Sequence, residues 1–118
     1  MTALAAIRSA LKPLGLPMHP HLYEGTEDRY ITYNYTDDRG ADYGDDVPDC
    51  NLVSVQVHYV APLDESPTQM KQAIRSALFA AGFTYPVIVD QSDAQNTVER
   101  KSSLTHLIFE CEYLETRM

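Results

Sequence analysis

The chain has 118 residues, 44% of them apolar, and a formal net charge of −8. That size and composition suit one domain with a real core and exclude wholesale disorder, and no apolar run approaches the roughly 18–20 residues of a membrane span. The charge is uneven, +2 over residues 1–23 and −7 over residues 24–49, so no segment offers the basic density that nucleic-acid binding needs.

The first residues, Met-Thr-Ala-Leu-Ala-Ala-Ile-Arg, have no basic leader before their apolar part and soon meet Lys12-Pro13, so no signal peptide is expected. Cys50 and Cys111 are too few for a disulfide framework or a four-ligand zinc site. A reduced, cytoplasmic product with a buried thiol at Cys111 is the expectation.

Thr2 is placed to cap a first helix whose stripe is Leu4, Ile7, Leu11 and Leu14, closed by Pro13, Gly15 and Pro17. Residues 19–23 read as a short edge strand, because Pro20 cannot donate to a ladder, and residues 25–28 as a turn. Over residues 29–36, Ile31, Tyr33 and Tyr35 alternate with Tyr30, Thr32, Asn34 and Thr36. Both faces of that strand carry aromatic or β-branched side chains, so Tyr30 and Tyr35 become candidates for contact with a partner. Residues 37–49 hold six aspartates with Gly40, Gly44 and Pro48 as breakers, and read as a long acidic hairpin loop. Asp37, Asp38, Asp42, Tyr43, Asp45 and Asp46 are its interface candidates. The strand over residues 52–60 turns Val53, Val55, Val57 and Tyr59 inward and Ser54, Gln56 and His58 outward.

A second helix follows, with both ends marked. Ser66 is the expected N-cap, Pro67 the first helical residue, and Gln69 the partner that completes a capping box. Met70, Ala73, Ile74, Ala77, Leu78 and Ala81 form its apolar stripe, leaving Arg75 outside. Ala77 permits close approach to a sheet, and Gly82 is the left-handed stop onto which Phe83 folds back. Strands over residues 85–89 and 104–114 complete the order α–β–β–β–α–β–β. In the last strand Leu107, Phe109, Cys111 and Tyr113 point one way and His106, Ile108, Glu110 and Glu112 the other. The expected fold is a single α+β domain, a mostly antiparallel four- to five-stranded sheet with both helices on one face.

Motifs that carry chemistry are few. His19 and His21, two apart on a strand, share one side, but spacing assigns them no third ligand, so no metal is expected. The aspartates lack the EF-hand pattern. Asp90 with Glu99-Arg100-Lys101 is similar to the acidic and basic set of metal-dependent nucleases, yet it follows the second helix instead of preceding it. With no nucleophile elbow, phosphate loop or convergent polar cluster, a non-enzyme without cofactor is the better reading.

Three segments, Tyr30-Ile31-Thr32-Tyr33-Asn34-Tyr35, Ser54-Val55-Gln56-Val57-His58-Tyr59-Val60-Ala61-Pro62 and Ile74 through Pro86, resemble the tail completion (head–tail joining, tail terminator-like) proteins of long-tailed bacteriophages and prophages. His106 to Tyr113 is similar to that family's last strand. The resemblance implies a virion protein that assembles as a ring, usually of six copies, at the head-proximal end of the tail tube. There it would stop tube growth and meet the head connector, with DNA only passing through the lumen and no membrane involved. It would be made in the host cytoplasm and end in the neck. The alternatives are an oligomeric interaction module of non-phage origin and, further off, a metal-dependent nuclease.

Overall fold

The computed structural model describes residues 2–21, 28–44, 47–62, 66–92 and 104–116, except the side chains of residues 41–44, 47–49, 104 and 116. The first helix, α1 (Ala3–Leu11), starts as expected: the Thr2 hydroxyl accepts from the Ala5 N–H at 3.2 Å. Its buried stripe is Ala3, Ala6, Ile7 and Leu11, while Leu4 and Leu14 only flank the core. A short 3-10 turn, Lys12–Leu14, follows, and Gly15 ends it at φ 74°, a left-handed conformation that favours glycine.

Five strands form one sheet, β1 (Met18–Pro20), β2 (Tyr30–Gly44), β3 (Val47–Pro62), β4 (Val87–Asp90) and β5 (Leu104–Thr116), in the spatial order β1-β2-β3-β5-β4. The sheet is mixed, which corrects the mostly antiparallel expectation. β1 runs parallel to β2, with Met18 beside Ile31 and Pro20 beside Tyr33. The physical reason lies at His21, whose φ of 68° ends the strand. Its N–H bonds the Tyr33 carbonyl at 2.8 Å and the Ile31 N–H bonds the Pro17 carbonyl at 2.8 Å, so β1 is tied to β2 in the parallel register at both ends.

β2 and β3 also run further than the acidic composition suggests. Their antiparallel ladder reaches Tyr43 opposite Pro48 and Gly44 opposite Val47. The segment read as a loop over 37–49 is therefore mostly strand, apart from residues 45 and 46, which lie outside the described residues. Backbone pairing with β3, itself paired to β5 as far as Cys50 opposite Thr116, holds the acidic strand against its own repulsion. The ladder shifts register between Tyr35 and Asp37. This bulge reverses the alternation, so Asp37 falls opposite Ser54 and Asp38 opposite Val53.

The helix-side face of the sheet carries Ile31, Tyr33, Val53, Val55, Val57, Tyr59, Leu107, Phe109 and Cys111, joined in one core to Ile7 and Leu11 of α1 and to Ile74 and Leu78 of the second helix, α2 (Thr68–Ala80). Period-2 patterning in the strands and helical patterning in α1 and α2 thus converge on one seam. No helix among the described residues is long and apolar enough to cross a membrane.

Candidate functional site

The expected interface residues separate along β2. Tyr30 lies opposite Val60 near the start of the strand and is half-buried. Tyr35 is tied inward: its hydroxyl donates to a Glu115 carboxylate oxygen at 2.7 Å, and the Ala3 N–H donates to the same oxygen at 2.6 Å. Partial burial and the Glu115 carboxylate push the Tyr35 phenol up to about 12. Glu115 also sits where the positive end of the α1 dipole favours an anion. Sequence reading misses it because it ends the last strand at Leu114.

Asp37 accepts from Arg39, two residues on, at 2.7 Å and 2.6 Å. Asp38 is exposed. Asp42 and Tyr43 occupy positions near the end of β2, and Asp45 and Asp46 lie outside the described residues.

The structural residues of α2 divide in the same way. Ser66 is not the N-cap: Pro67 is, its carbonyl accepts from the Lys71 N–H at 2.8 Å, and no side chain caps the helix. The helix therefore starts one residue late for the capping box, and the Ser66 hydroxyl turns to Thr68 at 3.3 Å. Ala77 packs at the edge of the core. The C-terminus matches the sequence reading. Gly82 takes φ 104°, its N–H bonds the Phe79 carbonyl, and the Phe83 N–H bonds the Leu78 carbonyl, both at 3.2 Å. Those two bonds make a Schellman motif, and they turn buried Phe83 onto the Tyr113 ring at 4.6 Å between centroids.

The face of the sheet away from the helices carries the polar groups. His58 on β3 and His106 on β5 meet diagonally, Nδ1 to Nε2 at 2.9 Å. Desolvation lowers the pKa of both, and His106 lowers that of His58 further. Two neutral rings sharing one hydrogen bond are the stable form at neutral pH. Further along that face, Glu110 and Glu112 of β5 and Asp37 of β2 line a trough of about 570 Å³ over Ser54, with Tyr85 and Val87 at its rim. The other layer differs in sign. There Arg8 of α1 and Lys12, the first residue of the 3-10 turn after it, border a groove of about 560 Å³ formed with Leu4, Ala5, Ser9 and Tyr33.

The Cys111 thiol is buried and its pKa is pushed up to about 12, chiefly by desolvation, so it stays protonated and unreactive. Asp90 is held below the usual carboxylate range first by the Ser92 hydroxyl, then by the Ser92 N–H. Glu99, Arg100 and Lys101, its supposed partners, lie outside the described residues. Among the described residues no three His, Cys, Asp or Glu side chains gather to hold a metal ion. His21 also lies past the end of β1, so the strand alternation that would put it on the side of His19 does not extend to it.

The chain matches no family model and no curated protein.

Proposed function

We propose that this chain is a non-enzymatic structural subunit of a phage or prophage virion. In this reading it forms a ring, of six copies, at the head-proximal end of the tail tube and joins that tube to the head connector. The resemblance of the strand and helix segments supports it, since those segments become β2, β3, the α2 stop and β5, the elements that build the core.

The observation that carries the reading is the reach of the β2–β3 hairpin. The molecule measures 60 × 26 × 24 Å along its principal axes, and the hairpin pairs at Tyr43–Pro48 and Gly44–Val47 lie outside the last β3–β5 pair, Cys50–Thr116. A two-stranded tip gains little from its own chain. One that extends past its sheet and carries Asp42 and Asp49 suits contact with a neighbouring subunit or with the next ring. Acidic groups turned to a lumen would repel passing DNA instead of holding it.

The test is to combine the protein with the tail-tube protein encoded in the same genome and to image the product. Tubes of limited length capped by rings are the expected outcome. Tubes that grow without limit and carry no ring would overturn the proposal.

A further inference from the structure

We infer that successive copies of this chain associate head to tail, with the Arg8 and Lys12 face of α1 in one copy docking on the Glu110 and Glu112 face of β5 in the next. The inference rests on the self-association in the ring reading and names the two surfaces that make it.

Four observations carry it. Arg8 and Lys12 are exposed, lie one helical turn apart, and have no ion pair among the described residues. Glu110 and Glu112 are exposed on one side of β5, and among the described residues neither is in an ion pair; Glu110 accepts a long bond of 3.4 Å from Gln56. Arg39, the one cation in their trough among the described residues, is already occupied by Asp37. The spacings also match. Residues four apart on a helix stand about 5–6 Å apart, and residues two apart on a strand about 7 Å, so two cations face two carboxylates in register.

Each charged patch borders a groove with apolar groups beside it. The α1 groove offers half-buried Leu4, while Tyr85 and Val87, 56% and 64% exposed, rim the trough. Docking would cover these apolar groups inside a rim of ion pairs.

The two patches lie on opposite layers, one on α1 and one on the uncovered sheet face. A contact between different patches is heterologous and leaves one of each free on a pair of copies, so it propagates until rotation closes it into a ring. Salt dependence follows from the balance of local attraction against a net charge of −8 per copy. At about 0.15 M salt the screening length is about 8 Å, which damps repulsion between whole subunits while leaving contact pairs. Association is then strongest at intermediate salt.

The test is charge reversal with cross-rescue, read by sedimentation velocity at about 0.15 M salt with and without magnesium. One variant carries Arg8→Glu and Lys12→Glu, the other Glu110→Lys and Glu112→Lys. All four side chains are exposed, and melting curves check that both variants fold. Each variant alone should associate roughly 100-fold more weakly than wild type, because like charges now face each other. An equimolar mixture should recover association, since each reversed patch finds its complement on the other variant. Wild-type assemblies that survive both reversals would sink the docking contact and leave the ring reading standing. Open chains or dimers that the reversals abolish and the mixture restores would uphold the contact and remove the closed ring. A wild-type protein that stays monomeric under all these conditions would overturn the docking contact, and the ring reading would then be decided by the tail-tube experiment.

Discussion

One carboxylate oxygen of Glu115 joins the start of α1 to β2, so Glu115→Ala removes the Ala3 and Tyr35 bonds together. Hydrogen bonds to a charged group contribute about 1.5–3 kcal/mol, and this partly buried pair should lose an amount near the lower end of that range. Tyr35→Phe, which removes one bond and keeps the ring, should lose about 1 kcal/mol. Denaturant midpoints rank the two, and equal losses would mean that the Ala3 bond contributes nothing. The His58–His106 pair gives a second test at this scale. Both folded pKa values lie below the ordinary 6.5, so above pH 6.5 neither state takes up a proton and their stability contribution is complete. As pH falls below 6.5 the unfolded chain protonates first, and stability is lost until the folded values are passed. Asp90 and Glu110 face the pair and moderate the loss by favouring the charged rings. Melting points between pH 7.5 and 5 should fall in wild type and fall less in the double variant His58→Gln, His106→Gln.

The seam between α2 and the sheet can be probed by size. Leu78→Ala, at a fully buried position, should cost about 2–5 kcal/mol. Ala77→Leu should overpack the edge of the core and cost about 1–3 kcal/mol. Arg75 is not the free outer residue that its helical position suggests: its guanidinium stacks on the Tyr85 ring at 4.8 Å, and Tyr85 meets Phe79 edge-on at 5.4 Å. Arg75→Ala should therefore cost about 0.5–1 kcal/mol, the range of an exposed cation–π contact. Equal losses from all three substitutions would mean that the buried stripe is assigned wrongly. Elements whose signals are local are legible in the sequence. The Gly82 stop and the Val53–Tyr59 alternation each need only neighbouring residues. The parallel direction of β1 is not legible, because no pattern of neighbouring residues encodes which way two strands pair. Glu115 is hidden for a related reason: its partners stand 112 and 80 residues away. Helix starts are the weakest local signal, since Ser66 and Pro67 fit two adjacent caps and only the packed helix chooses between them.

At the scale of the molecule, the hairpin can be shortened where the pairing permits it. Ala41 lies opposite Cys50, so replacing residues 42–49 by Asn-Gly closes the ladder with a two-residue turn and removes only the outermost pairs. The free protein should keep its melting point within about 3 °C, while ring formation weakens. Early unfolding of the shortened chain would place the tip in the core instead of the interface. Six copies at −8 each bring a net charge of −48 together, so the isolated protein should be monomeric or weakly associated at low salt. Rings should appear with magnesium or with the tail tube. Sedimentation against magnesium concentration measures this, and a stable low-salt assembly indifferent to magnesium would favour an oligomeric module of non-phage origin.

The strand order carries a consequence for how the protein is made. β3 is central, but its second neighbour, β5, is the last of these five strands to leave the ribosome. Until then β3 exposes an edge along which Val53, Val55 and Val57 alternate with polar residues, and Phe109 is missing from the core. Such long-range pairing belongs to the slow regime of folding, milliseconds to seconds. An open apolar strand during that wait is a site for aggregation. A nascent chain stalled before residue 104 should therefore bind a chaperone, and release should coincide with the emergence of β5.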